Sequence, residues 1–127
     1  MTMESDLIAL LLADSAVSTL VSTRVEPGIL PADVTLPSLV VREISGFSST
    51  QTFAGTANYF NGTVQIDCWA EDYAGIKALR EAVLDAVDGV ATGSIKEMRV
   101  TLTLDVYEAE TQQFREVVDV QVVYARP

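Results

Sequence analysis

The sequence predicts an α+β fold: a mainly antiparallel sheet of four to five strands, with two main helices packed on one face and a long C-terminal β-hairpin. Apolar residues recur at helical spacing in residues 3–13 and 73–88. Apolar and polar residues alternate with the period of a strand in three other segments, 62–70, 98–106 and 118–124. A length of 127 residues fits one domain, so we expect residues 1–127 to form a single domain.

Composition restricts the class of protein. Apolar residues make up 49% of the chain, which favours a folded core over disorder. No apolar run reaches the roughly 18–20 residues of a membrane span. The early run LIALLLA lies among Glu4, Asp6 and Asp14 and follows no basic residue, so it predicts an amphipathic helix rather than a secretion signal. A single cysteine cannot form an internal disulfide, which predicts a reducing, intracellular compartment.

The net charge of −10 argues against two kinds of partner. A surface with 18 acids and 8 basic residues repels phosphate, so neither a nucleic-acid grip nor binding to an anionic membrane is expected. Solubility is the simpler explanation of the charge.

The first third of the chain predicts a helix, a short turn and extended segments. Leu7, Leu10 and Leu11 give residues 3–13 an apolar stripe, and Ser15 is a candidate cap for a short helical turn ending near Val21. The prolines that follow exclude a helix and mark turns between extended segments: Pro27, Pro31 and Pro37. The segment SLVVREI, residues 38–44, predicts a strand.

Residues 46–62 are rich in Gly, Ser, Thr and Asn and predict a loop or a mobile hairpin. The segment also carries four aromatic residues: Phe47, Phe53, Tyr59 and Phe60. Either these rings fold back onto the domain's own core, or some of them dock into a partner, as aromatic anchors do at interfaces.

The segment GTVQIDCWA, residues 62–70, predicts a strand with one apolar face. That face is expected to hold Val64, Ile66, Cys68 and Ala70, and the other Thr63, Gln65, Asp67 and Trp69. Cys68 is therefore predicted to be structural, because it points away from Asp67 and the chain contains no histidine to act as its base. Trp69 lies on the polar face, where the first helix, the aromatic-bearing segment 46–62 or another subunit could shield it.

The next segment predicts a helix that begins after Asp72, whose carboxylate would cap the first backbone amides. Its apolar stripe is expected to consist of Ile76, Leu79, Val83 and Val87. Gly89 is placed to end the helix in a left-handed conformation. Helix capping thus explains Glu71 and Asp72 better than acid–base chemistry does.

The C-terminal third predicts two strands that pair as a long antiparallel hairpin. In the first strand one dry face is expected to hold Met98, Val100, Leu102, Leu104 and Val106. In the second, one side is expected to hold Val118, Val120, Val122 and Tyr124, and the other Arg115, Asp119 and Gln121.

The residue types do not point to chemistry. Histidine is absent, the single cysteine cannot build a thiolate metal site, and no glycine loop with a following lysine offers a phosphate cradle. Glu108 and Glu110 could bind a cation, although acids near a turn are usually solvated. We therefore predict no catalytic, cofactor-binding or metal residues and no enzyme, and keep a carboxylate-based enzyme or a small-molecule binding module as the alternative class.

Three blocks of the sequence resemble the tail-completion (tail-terminator, head–tail joining) proteins of long-tailed bacteriophages. The blocks are RVEPGILPADVTLPSLVVREIS, VQIDCWAEDYAGIKALREAVLDAV and YEAETQQFREVVDVQVVY. They include Arg24-Val25, Pro27-Gly28, Leu30-Pro31, Leu36-Pro37, Val64, Ile66-Asp67, Trp69-Ala70, Tyr107-Glu108, Glu110-Thr111 and the last strand from Asp119 to Tyr124. The order and spacing of the blocks carry the resemblance, which covers residues 3–126.

The resemblance implies a virion structural protein of the tail or neck, assembled in the host cytoplasm. It would form a ring with copies of itself, commonly a hexamer, at the head-proximal end of the tail tube. Its partners would be the tail tube protein and a head–tail connector or stopper, and DNA would pass through the ring without specific binding. Another neck component, a stopper or adaptor, is the alternative. We predict subunit or partner contacts at Phe47, Phe53, Tyr59, Phe60, Trp69, Tyr107 and Arg115.

Overall fold

A computed structural model describes residues 3–29, 35–51, 58–109 and 113–125 of the chain. It contains three helices, α1 (Met3–Ala13), α2 (Ser15–Val21) and α3 (Tyr73–Val87). The five strands are β1 (Val25–Pro27), β2 (Ser38–Gln51), β3 (Asn58–Ala70), β4 (Ile95–Glu108) and β5 (Gln113–Ala125). The predicted α+β class is confirmed.

The strands form one sheet in the order β1-β2-β3-β5-β4. All neighbours pair antiparallel except the three-residue β1, which pairs parallel to β2. The predicted C-terminal hairpin of β4 and β5 is confirmed, and it places β4 at one edge of the sheet.

The helices pack on one face of the sheet and bury the predicted apolar rows. On β3 that row is Val64, Ile66, Cys68 and Ala70, and on β5 it is Val118, Val120 and Val122. From α3 it meets Ile76, Leu79, Val83 and Val87, and from α1 it meets Leu7 and Leu11. The period-2 and period-3.6 interpretations of these segments are confirmed.

The predicted caps of α3 are confirmed, whereas the predicted cap of α2 is wrong. The Gly75 amide donates to Asp72 Oδ1 at 2.6 Å, and Gly89 follows the helix with a φ of +77°, so both predicted ends of α3 are confirmed. The prediction of Ser15 as a cap is wrong, because Asp14 holds that position: its carboxylate accepts from Ala16 N and Val17 N.

A buried acid attaches α1 to the start of β4. Asp6 is only 6% exposed, and its Oδ2 accepts from Ser94 N at 2.8 Å and from Ser94 Oγ at 2.6 Å. These hydrogen bonds hold the pKa of Asp6 below its ordinary value, because they favour the ionised carboxylate. A side chain at Gly93 would place its Cβ 2.7 Å from Asp6 Oδ2, which explains the glycine.

The segment predicted as a loop or a mobile hairpin forms two paired strands wherever it is described. β2 continues to Gln51 and β3 begins at Asn58, with Gly46 paired to Gly62 and Phe47 to Asn61. These strand ends pair without an alternating apolar pattern, because β5 also pairs with β3 on its other side, as far as Tyr59, and holds β3 extended. The loop interpretation is therefore wrong for residues 46–51 and 58–62, and residues 52–57 lie outside the described part of the chain.

Candidate assembly interface

The sheet face opposite the helices, here called the open face, holds two of the predicted contact residues side by side. Paired residues of neighbouring strands project to the same face. Two rows cross the open face from β2 to β4: Ser38–Trp69–Arg115–Val106 and Val40–Asp67–Val117–Leu104. Trp69 and Arg115 are thus direct cross-strand neighbours.

Trp69 is half-buried beneath Arg115. The guanidinium carbon lies 5.4 Å from the indole centroid, and Arg115 Nη2 lies 3.1 Å from Asp67 Oδ2. Gln65 Nε2 donates to the other oxygen of Asp67 at 2.7 Å. The first helix is not the shield of Trp69, because α1 packs on the other face. Instead, Arg115 of the neighbouring strand covers Trp69.

The indole nitrogen of Trp69 has no acceptor among the described residues. Nε1 is shielded from solvent, yet no hydrogen-bond partner lies within reach in that part of the chain. A buried donor without a partner costs about 1–3 kcal/mol. The open face therefore carries a polar atom whose hydrogen bond the described part of this subunit does not supply.

The predicted dry face of β4 is wrong beyond Val100. Val100 pairs with Val120, but Leu102 pairs with Asp119, so Thr101 is an extra residue in β4. Such a bulge moves every later side chain to the opposite face. Met98 is 1% exposed in the core, whereas Leu102 and Leu104 lie on the open face with exposures of 51% and 53%.

The bulge also turns Asp105 towards α3, where it joins a charged cluster. Lys77 Nζ lies 2.6 Å from Asp105 Oδ2 and 3.8 Å from Glu116 Oε1, and Arg80 Nη1 lies 3.1 Å from the same Glu116 oxygen. Glu116 is 1% exposed, and its Oε2 has no partner among the described residues. The ion pairs offset the cost of burying this carboxylate.

An aromatic notch opens between α3 and the end of the β4–β5 hairpin. The rings of Tyr107 and Phe114 lie 5.0 Å apart, and Phe114 meets Tyr73 edge-on at 5.9 Å. Ile76, Asp105, Val106 and Arg115 also line this cavity of about 250 Å³. Tyr107 is 53% exposed and lies on the helix side, opposite to Trp69.

Another predicted contact residue, Phe60, lies at the other end of the sheet. Phe60 is half-buried and stacks on Tyr124 at 5.9 Å, and the Tyr124 hydroxyl donates to Glu43 Oε2 at 2.7 Å. Phe53, together with the side chains of Phe47 and Tyr59, lies outside the described part of the chain. The structure thus brings Trp69 and Arg115 together on the open face. Tyr107 lies on the other face, in a notch that Arg115 also lines, and Phe60 lies apart from all three.

Cys68 is fully buried, and burial next to Asp67 raises the pKa of its thiol well above its ordinary value. A protonated thiol in this position is a weak nucleophile. Across the described ranges, no three or more cysteine, aspartate or glutamate side chains gather closely enough to hold a metal ion. None of the described helices is long and apolar enough to cross a membrane.

Comparison with known proteins identifies the family. Residues 5–125 match the model of the family described as "Tail completion protein gp17". A chain of the solved structure "Virion of native gene transfer agent (GTA) particle" is similar in fold, with a TM-score of 0.77 and 16% identity. The match covers 98% of this chain and 95% of that one. Curated protein sequences include no match. Because the family model spans nearly the whole chain, this protein belongs to the tail completion protein gp17 family.

Proposed function

We propose that the chain forms a ring at the head-proximal end of a phage tail tube, where it terminates tube polymerisation and joins the tail to the head. Membership of a tail completion family over residues 5–125 is the observation that carries this proposal. The chain acts as a structural protein through its contacts, and its partners are copies of itself, the tail tube protein and a head–tail connector or stopper.

The surface of the subunit supports a role in assembly. Leu102 and Leu104 are each more than half exposed and lie together on the open face. Large apolar side chains that cluster on a surface commonly mark a protein interface. Tyr107, also more than half exposed, lines the aromatic notch on the helix side of the same segment. To terminate the tube, the ring also needs one surface that binds the tube and an opposite surface that does not bind a further ring of tube protein.

The acidic charge suits a channel that passes DNA without holding it. A ring of subunits that each carry −10 would repel the phosphates that move through it. Lysine substitution of exposed acids, one surface segment at a time, tests this property. We expect slower genome ejection when the substituted segment faces the channel. Unchanged ejection for every segment would remove the repulsive channel from the proposal.

Deletion of the gene followed by electron microscopy tests the termination role. Loss of a terminator leaves the tube without its stop signal, so we expect tails of abnormal length that do not join filled heads. Supplying the chain from a plasmid should restore tails of normal length.

Other outcomes of the deletion point to other roles. Filled heads that lack any tube would favour a stopper or adaptor. Normal particles would contradict a structural role altogether. Native mass spectrometry adds a second readout, since a strict monomer that retains a metabolite would favour a small-molecule binding module.

A further inference from the structure

The two halves of the edge strand β4 differ in what lies along their outer side. In the first half, Gly89 N donates to Met98 O at 2.9 Å and Val100 N donates to Asp88 Oδ1 at 3.1 Å, so the end of α3 covers this edge. In the second half, residues 101–108, the described part of the chain places no strand on the outer side.

The open half of β4 lacks two of the devices that usually protect an edge, lysine and proline. Natural edge strands discourage pairing with other chains through these residues, other charges, bulges or extreme shortness. The bulge at Thr101 lies at the boundary with the covered half, and the charged residues of the open half are Asp105 and Glu108. The segment TLTLDVYE contains no lysine or proline, and Leu102, Leu104 and Tyr107 in it are more than half exposed. Such an edge is suited to accept a strand.

Among the described residues, the opposite edge of the sheet is unpaired over a similar length. β1 pairs only with residues 39–41 of β2, and Glu4 Oε2 accepts from the Glu43 amide at 3.4 Å. Along residues 44–51 of β2, no described strand lies on the outer side. The segment ISGFSSTQ also contains no lysine, no proline and no acid.

We propose that residues 101–108 of one subunit pair antiparallel with residues 44–51 of a second copy, so that the sheet continues from one subunit to the next. This inference rests on the proposed ring. β2 and β4 run in opposite directions within the sheet, so neighbouring copies in the same orientation present these edges antiparallel. Residues 102–106 lie level with residues 38–42 of β2, so the pairing also requires one copy to be displaced along the strand direction relative to the next. A contact between two different surfaces closes into a ring when the rotation between copies allows it.

Charge and apolar content favour a second copy as the occupant. The accepting segment carries Asp105 and Glu108, which would repel an acidic strand. Residues 44–51 contain no acid although the chain carries 18. They also include the apolar residues Ile44 and Phe47, a composition that suits pairing with the exposed leucines of β4.

Cysteine cross-linking in assembled particles tests the pairing. Leu104→Cys would be combined in turn with Phe47→Cys, Ser48→Cys and Ser49→Cys, which together cover three neighbouring registers. Cys68 stays in place, since it is buried. Mild oxidation should give a ladder of covalent multimers for at least one pair. The single-cysteine variants, as controls, should stop at dimers.

Amide hydrogen exchange on the unsubstituted chain covers the case in which a cysteine variant does not assemble. On assembly, exchange at residues 101–108 and 44–51 should slow at least about tenfold, whereas residues 95–100 are already protected in the free subunit. Slowing at residues 101–108 alone would mean that another protein supplies the strand and would overturn the inference.

The two proposals fail in different ways. If rings form without cross-linking and without slowed exchange at either edge, the proposed edge pairing is contradicted and the terminator role is unaffected. Normal tails after deletion of the gene would instead remove the terminator role on which the pairing depends.

Discussion

The first and second halves of β4 have the same alternating sequence pattern but different surroundings. Met98 in the first half is 1% exposed beneath the helices, whereas Leu104 in the second half is 53% exposed on the open face. The single extra residue Thr101 separates them. Alternation therefore tells which side chains share a face only as far as the next bulge.

Deletion of Thr101 tests whether this one residue alone separates the two halves. Without it, Val100 and Leu102 become neighbours and keep their partners Val120 and Asp119, so both halves retain their faces in a regular ladder. We therefore expect the free energy of unfolding to fall by less than about 2 kcal/mol. Denaturant unfolding measures this.

Thr101→Ala is the matched control, because it keeps the residue count. It removes only the hydrogen bond from Thr101 Oγ1 to Asp119 O, so we expect a loss below about 1 kcal/mol. A loss well above about 2 kcal/mol for the deletion would show that Thr101 alone does not separate the two faces.

Truncation of one side chain in each half sharpens the comparison. Met98→Ala removes a buried side chain and should cost about 3 kcal/mol in unfolding free energy. Leu104→Ala removes a half-exposed side chain and should stay within about 0.5 kcal/mol. Similar losses for the two variants, measured by denaturant unfolding, would contradict the difference in burial.

The charged cluster under α3 depends on the second half of β4. Arg80→Met leaves the buried Glu116 with only the more distant Lys77, and we expect a loss of about 2 kcal/mol. Asp105→Asn removes an exposed ion pair and should cost less than about 1 kcal/mol. Thermal unfolding of both variants should separate them, and a larger loss for Asp105→Asn would contradict the assigned cluster.

The first half of β4 should be sensitive to pH through Asp6. Because the Ser94 hydrogen bonds lower the pKa of Asp6, its ionised form stabilises the fold above the unfolded-state value of about 4. This contribution is lost as the pH falls through the lower folded value.

Asp6→Asn should therefore lose less stability than the unsubstituted chain between about pH 5 and about pH 3. Asp85→Asn, at an exposed position of α3, is the control and should follow the unsubstituted chain. Parallel losses in all three proteins would exclude a special role for Asp6.

Sequence patterns predicted the elements in which local signals agree. The alternation around Cys68, the stripe of α3, the Asp72 cap and the Gly89 stop all depend on neighbouring residues, and all are present. Alternation along β5 also indicates that Glu116 faces the core, because it continues the row of even-numbered apolar residues. The burial of Glu116 could therefore have been predicted from the sequence.

Other features depend on contacts distant in sequence. The run from Met98 to Val106 alternates without interruption, so nothing in it marks Thr101 as extra. Asp6 resembles a solvated acid until Ser94, 88 residues away, contacts it. The cover of Trp69 by Arg115 follows from the β3–β5 register, which alternation alone does not set.

The central claim is that residues 101–108 serve assembly rather than the core of the subunit. Leu104→Lys tests it most directly, with Leu12→Lys as a control that adds the same charge at another exposed apolar position. Both variants should unfold within about 0.5 kcal/mol of the unsubstituted chain. Only Leu104→Lys should fail to restore tails of normal length to a deletion strain. Normal tails with Leu104→Lys, or the same defect with Leu12→Lys, would contradict the claim.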